Sequence, residues 1–141
     1  MFVYRSSTAL VTGASKGLGE VFADALAARA MNLVLVARSV DALQGLAERL
    51  TAKYDVQCVA LNADLADPNA VSQIGPELER RGIQIDLLIN NAGLGLTGSF
   101  LTHDITKEQA AIQVNVQALV ALRIRNLLTV ALGLFGARFG W

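Results

Sequence analysis

Unbroken apolar runs alternate along this chain with stretches whose apolar residues recur every three or four positions. Thr8 to Val11 predicts a short strand that ends in a glycine-rich turn. Leu18 to Ala30 predicts a helix, because Leu18, Val21, Phe22, Ala25 and Leu26 fall at helical spacing. Asn32 to Ala37 contains Leu-Val-Leu-Val, a strand of the kind buried on both faces in parallel sheets. Val40, Leu43, Leu46, Ala47 and Leu50 mark a second helix, and Val56 to Leu61 a third strand. Asp67-Pro68 supplies an N-cap followed by proline at the first helical position. Arg80, Arg81 and Gly82 supply the matching stop, and Pro76 predicts a kink or split between them. Ile85 to Ile89 is a fourth buried strand, and Thr106 to Leu128 a long helical pattern. The order β-α-β-α-β-α-β-α implies right-handed crossovers and an α/β fold, a parallel sheet with helices on both faces. Neither a repeat nor a low-complexity linker interrupts it.

Composition adds an apolar excess. The 141 residues are 53% hydrophobic and only 17% charged, against ~25% charged in ordinary domains. That excludes a disordered chain. Net charge is +0 and no Lys/Arg cluster stands out, so no nucleic-acid partner is expected. Leu127 to Phe135 is free of charge but far short of the ~20 residues a bilayer needs, so no membrane span is expected either. Met1 to Ser7 has no apolar segment of the signal-peptide type. Cys58 stands alone and cannot form an intrachain disulfide. The expected compartment is the cytoplasm.

The chemistry concentrates in Thr12-Gly13-Ala14-Ser15-Lys16-Gly17-Leu18-Gly19, between the first strand and the first helix. There Gly13 permits a tight turn, Gly17 lets backbone N–H groups approach a pyrophosphate, and Gly19 allows close helix–strand packing. The helix N-terminus adds partial positive charge for phosphates. No Gly-Lys-Ser/Thr follows, which excludes a Walker phosphate loop. His103 is the single histidine, and no partner stands at metal-ligand spacing, so no metal site is expected.

The glycine spacing is Gly-x-x-x-Gly-x-Gly. With Asn90-Asn91-Ala92-Gly93 after the fourth strand, Asn62-Ala63-Asp64-Leu65 after the third and Val114-Asn115 in the long helix, it resembles the short-chain dehydrogenase/reductase family, classical type. The resemblance covers about residues 6 to 122. It implies a Rossmann-type doubly wound parallel sheet, here incomplete, with about four strands in the order 3-2-1-4. It also implies a nicotinamide dinucleotide and hydride transfer between an alcohol and a carbonyl. By the same resemblance Gly13, Ser15, Lys16, Gly17, Leu18 and Gly19 would line the pyrophosphate and adenosine ribose. Asp64 would hydrogen-bond the adenine amine with Leu65 beside it, and Asn91, Ala92 and Gly93 would lie under the nicotinamide ribose. Asn115 would be the catalytic asparagine that supports a proton relay through water.

Charge argues for the choice of dinucleotide. An acid at the end of the second strand would accept ribose hydroxyls and repel a 2′-phosphate. This chain has Ala37 there, then Arg38 and Ser39, with Lys16 approaching from the glycine loop. NADP(H) is therefore expected over NAD(H). The plainer alternative makes Arg38 a solvated loop residue and Ser39 a helix cap.

Other expected parts are missing. The family's chemistry needs Tyr-x-x-x-Lys, whose lysine lowers the pKa of the tyrosine. Here Tyr4 and Tyr54 are followed four residues later by Thr8 and Cys58. The strand bearing the family's catalytic serine has no counterpart. Residues 1–122 thus read as a partial NADP(H)-binding domain, and 123–141 as an off-pattern apolar tail. From Ala118 to Trp141 there are three arginines, no lysine and no acid, which suggests an interrupted reading frame or gene. A sheet cut after its fourth strand would leave Leu87, Leu88 and Ile89 on a bare edge. Either marginal solubility follows, or the tail and a partner chain cover that edge, with self-association through the edge or the long helix. Two other readings stay open: a non-catalytic nucleotide-binding or interaction module, and a non-functional truncated or frameshifted product.

Overall fold

The computed structural model describes residues 2–97, 101, 104–122 and 128–131. His103 and most of the 123–141 tail lie outside the described residues. Four strands, β1 (Thr8–Thr12), β2 (Asn32–Ala37), β3 (Cys58–Asn62) and β4 (Leu87–Asn90), form a parallel sheet in the order 3-2-1-4. Between them run α1 (Leu18–Ala27), α2 (Val40–Tyr54) and α3 (Pro68–Arg80). Side chains of β1 alternate between faces, as strand geometry requires, and this splits the core in two. Ala9 and Val11 join Leu33, Leu35 and the buried stripes of α1 and α2, with Leu26, Leu43 and Leu50 prominent. Leu10 joins Val34, Val36 and Leu88 under Val71, Ile74 and Leu78 of α3, with Ala118 and Leu122 from the long helix. Both sheet faces are thus covered, and the apolar runs of β1, β2 and β4 are the buried centre.

Three details depart from the expectations. Proline at position 76 does not split α3, which runs unbroken from the Asp67 cap, whose carboxylate accepts the Asn69 N–H, to Arg80. The residue before it is Gly75, which has no Cβ to clash with the proline ring in a helical conformation. The long helix starts at Ile105 rather than Thr106 and comprises α4 (Ile105–Ile112), a π-helical segment (Gln113–Ala118) and α5 (Leu119–Ala121). It stops well before Leu128. Instead Leu128–Ala131 forms β5, paired parallel to β4 with Leu88 opposite Thr129. The Leu87–Ile89 edge is therefore not bare, and the sheet is β3-β2-β1-β4-β5. On the long helix Ile105, Ile112, Val116 and Val120 are each more than half exposed, as are Leu18 and Val21 on α1.

Candidate functional site

The order in which strands are laid down reverses between β1 and β4: β2 and β3 extend to one side of β1, and β4 to the other. A crevice opens at the carboxyl ends of the strands at such a point. Here it is a cleft of about 490 Å³. Four loops build its walls: the glycine turn with Gly13, Ser15 and Lys16, the β2–α2 turn with Arg38 and Ser39, Ala63 to Ala66 after β3, and Asn91 to Leu94 after β4. Val114 of the long helix closes one side.

Short polar side chains hold the glycine turn against the β4 loop. Buried Thr12 accepts the backbone N–H groups of Asn91 and Ala92 on Oγ1, both at 3.0 Å. The Asn91 amide answers by donating Nδ2 to the carbonyls of Thr12 at 3.0 Å and Gly13 at 3.3 Å. Gly13 has φ +65°, and a Cβ there would lie 2.9 Å from the Cα of Ala92. A Cβ on Gly19 would overlap the Gly13 carbonyl and come within 2.7 Å of Asn91 Nδ2. The first turn of α1 therefore packs backbone to backbone on the turn. Its N-cap, Gly17, provides no side-chain hydrogen bond, so the first N–H groups of the helix keep no capping partner from that position. The space beside Gly17 is open, with no atom within 4 Å of where a Cβ would stand.

Of the residues singled out from sequence, Gly13, Ser15, Lys16, Arg38, Ser39, Asp64, Leu65, Asn91, Ala92 and Gly93 line the one cleft. Gly17, Leu18 and Gly19 form the helix start behind it, with Leu18 68% exposed. Asp64 accepts the Ala66 N–H on Oδ1 at 3.0 Å, which fixes its carboxylate at the wall. Ser39 occupies the N-cap position of α2 but makes no side-chain cap hydrogen bond. Asn115 is next to the lining residue Val114, within the π-helical segment. Its amide grips the backbone of Leu94 twice, accepting the N–H on Oδ1 and donating Nδ2 to the carbonyl, both at 2.9 Å. Its side chain is thus occupied in pinning the β4 loop.

Two residues matter here that sequence reasoning passed over. Thr12 was visible only as the residue before Gly13, and Asn62 only as part of a motif centred on Asp64. The Asn62 amide donates to the carbonyls of Ala37 at 3.3 Å and Arg38 at 2.6 Å, tying β3 to the β2–α2 turn. No group of His, Cys, Asp and Glu suited to a metal occurs among the described residues, and no described helix is long and apolar enough to cross a membrane.

Comparison with known proteins gives one answer. The family model described as short chain dehydrogenase matches residues 7–128. An NADP-dependent 3-hydroxy acid dehydrogenase of Schizosaccharomyces pombe is 34% identical over 82% of this chain and 45% of its own. A very-long-chain 3-oxoacyl-CoA reductase of Pyrenophora tritici-repentis is 32% identical over 89% of this chain and 37% of its own. The chain thus spans less than half the length of these relatives. Among solved structures, a short-chain dehydrogenase of Sphingobium yanoikuyae in complex with NADPH is 39% identical, with a TM-score of 0.77 over 82% of this chain and 45% of that one. L-sorbose reductase of Gluconobacter frateurii, complexed with NADPH and L-sorbose, is 31% identical, with a TM-score of 0.80 over 84% and 45%. With its glycine turn, Asn-Asn-Ala-Gly loop and 3-2-1-4 strand order, the chain belongs to the short-chain dehydrogenase family.

Proposed function

We propose that these residues form the NADP(H)-binding portion of an oxidoreductase that moves hydride between an alcohol and a carbonyl. One observation carries the reading: Lys16, Arg38 and Ser39 line the same cleft as Asp64 and the Asn91–Gly93 loop, while Ala37 stands where an NAD enzyme places an acid. Two cations and a hydroxyl free of capping duty suit a 2′-phosphate. The uncapped start of α1 and the open space beside Gly17 fit a pyrophosphate. Gly13, Ser15, Lys16, Gly17, Leu18 and Gly19 then hold the phosphates and adenosine ribose. Asp64 and Leu65 take the adenine, and Asn91, Ala92 and Gly93 the nicotinamide ribose. A bound nicotinamide supplies the hydride chemistry; the chain binds and orients it. Asn115 serves the reaction by fixing the Leu94 loop beside the cleft.

The acid–base pair is not in these 141 residues. Tyr54 sits at the contact of α1 and α2, donating to Asp24 at 2.9 Å, and does not line the cleft. That placement also supports a second reading, a module that binds the dinucleotide without turnover. The cytoplasm is the proposed compartment, and self-association would use the exposed stripe Ile112, Val116 and Val120. Titration of the chain with NADPH and NADH, followed by nicotinamide fluorescence beside a carbonyl-reduction assay, tests the cofactor preference and the turnover readings. We expect tighter binding of NADPH and no turnover by the chain alone. Equal affinities would overturn the cofactor preference, and turnover would overturn the assignment of the missing groups.

A further inference from the structure

We propose that Asn62 is a positioning residue that sets the preference of the cleft for a 2′-phosphate by holding the backbone from which Arg38 projects. This rests on the NADP(H) reading above and adds a residue that does not itself line the cleft.

The β2–β3 ladder ends at the pair Ala37–Asn62, and the Ala37 carbonyl still finds a backbone donor, the Ala63 N–H at 3.1 Å. One residue further, β2 has left the sheet, and the Arg38 carbonyl has no ladder partner on β3. The Asn62 amide supplies one, its Nδ2 reaching the Arg38 carbonyl at 2.6 Å and the Ala37 carbonyl at 3.3 Å. A carbonyl held toward β3 fixes the peptide plane after Arg38. This restricts the direction of the Arg38 side chain and the approach of Ser39 to the first turn of α2. A guanidinium can meet a phosphate with two parallel hydrogen bonds only from a defined direction. Without the tie, Arg38 must be ordered at the moment of binding, which costs affinity for that phosphate alone. The adenine side, at Asp64, keeps its own turn to Ala66.

The test uses adenosine 2′,5′-bisphosphate and adenosine 5′-monophosphate, titrated calorimetrically against the chain. The ratio of their affinities measures what the 2′-phosphate contributes. Asn62→Leu, similar in size but without a donor, should lower that ratio about fivefold, the factor that loss of one ordinary hydrogen bond represents. Affinity for the monophosphate should stay within about twofold, because no contact to it is removed. In an Arg38→Ala background Asn62→Leu should change the ratio no further. Asn62→Ala, checked by circular dichroism, gives a second reading of the same loss should the leucine disturb folding. If Arg38→Ala lowers the ratio and both Asn62 variants leave it unchanged, this inference falls and the NADP(H) reading stands. If the unaltered chain shows no preference for the bisphosphate, the NADP(H) reading falls first and this inference with it.

Discussion

The crest of the sheet and the outer helices are held together by opposite means. At the crest, Thr12 and Asn91 are short, half or fully buried, and bond directly to backbone groups about eighty positions away in sequence. On the outer surface the ties are long charged side chains: Arg49 with Glu20, Lys53 with Asp24 at 3.1 Å, and Arg80 and Arg81 with Glu77. Lys53 is 55% and Asp24 44% exposed, while Glu77 between its two arginines is 25% exposed. An exposed pair can exchange each lost partner for water, whereas a buried N–H that loses its acceptor gains nothing in return. The site region should therefore respond steeply to single atoms, and the outer helices weakly to whole side chains.

The largest effect should come from Gly19→Ala. Its methyl group would overlap the Gly13 carbonyl, so the turn must open. We expect a loss of about 3 kcal/mol from overpacking, measured by chemical denaturation, together with loss of nucleotide binding. Thr12→Val comes next. It keeps the shape but strips the acceptor from two N–H groups, at about 2 kcal/mol. That is a fall in melting temperature of about 7 °C. Third, Asp24→Asn should cost well under 1 kcal/mol because the pair is exposed, and about 0.5 M salt should erase most of it. A salt-dependent loss in Thr12→Val, or a large one in Asp24→Asn, would break the contrast.

The smallest effect concerns acid. Hydrogen bonds from Arg80, then Arg81, lower the Glu77 carboxyl from 4.5 to about 2. A depressed carboxylate contributes stability above its unfolded value and loses it as pH falls toward the folded one. The Glu77 contribution should therefore disappear between about pH 4.5 and about 2, and Glu77→Gln should flatten that limb of a pH melt slightly. Asp24 is likewise lowered, first by the Tyr54 hydroxyl and then by Lys53, so it acts in the same direction.

The first four strands and three helices were legible because each repeats a local rule: an apolar run, a helical stripe, a cap. Where tertiary contacts decide, the reading failed. The stripe through Leu119 and Leu122 continues smoothly toward Leu128, and a short apolar run cannot by periodicity alone declare itself helix or strand. The pairing of β5 with β4 was therefore read as more helix. The π-helical segment around Asn115 also leaves no local mark. The candidate site was legible as a list of residues, ten of which do line one cleft. The ties that shape it were not, since Thr12–Asn91 and Asn62–Arg38 join residues distant in sequence.

The Thr12–Asn91 lock also sets an order of events during synthesis. The glycine turn leaves the ribosome early, with its helix and second strand, yet its closing partners are encoded 79 and 80 positions later. Contacts this far apart form only after the intervening chain has collapsed. A nascent chain that stops before Asn91 carries Gly13, Gly17 and Gly19 but none of the β4-loop partners that hold the turn. On the reading proposed above, affinity for a dinucleotide should thus arrive abruptly rather than by degrees, when the fourth strand docks.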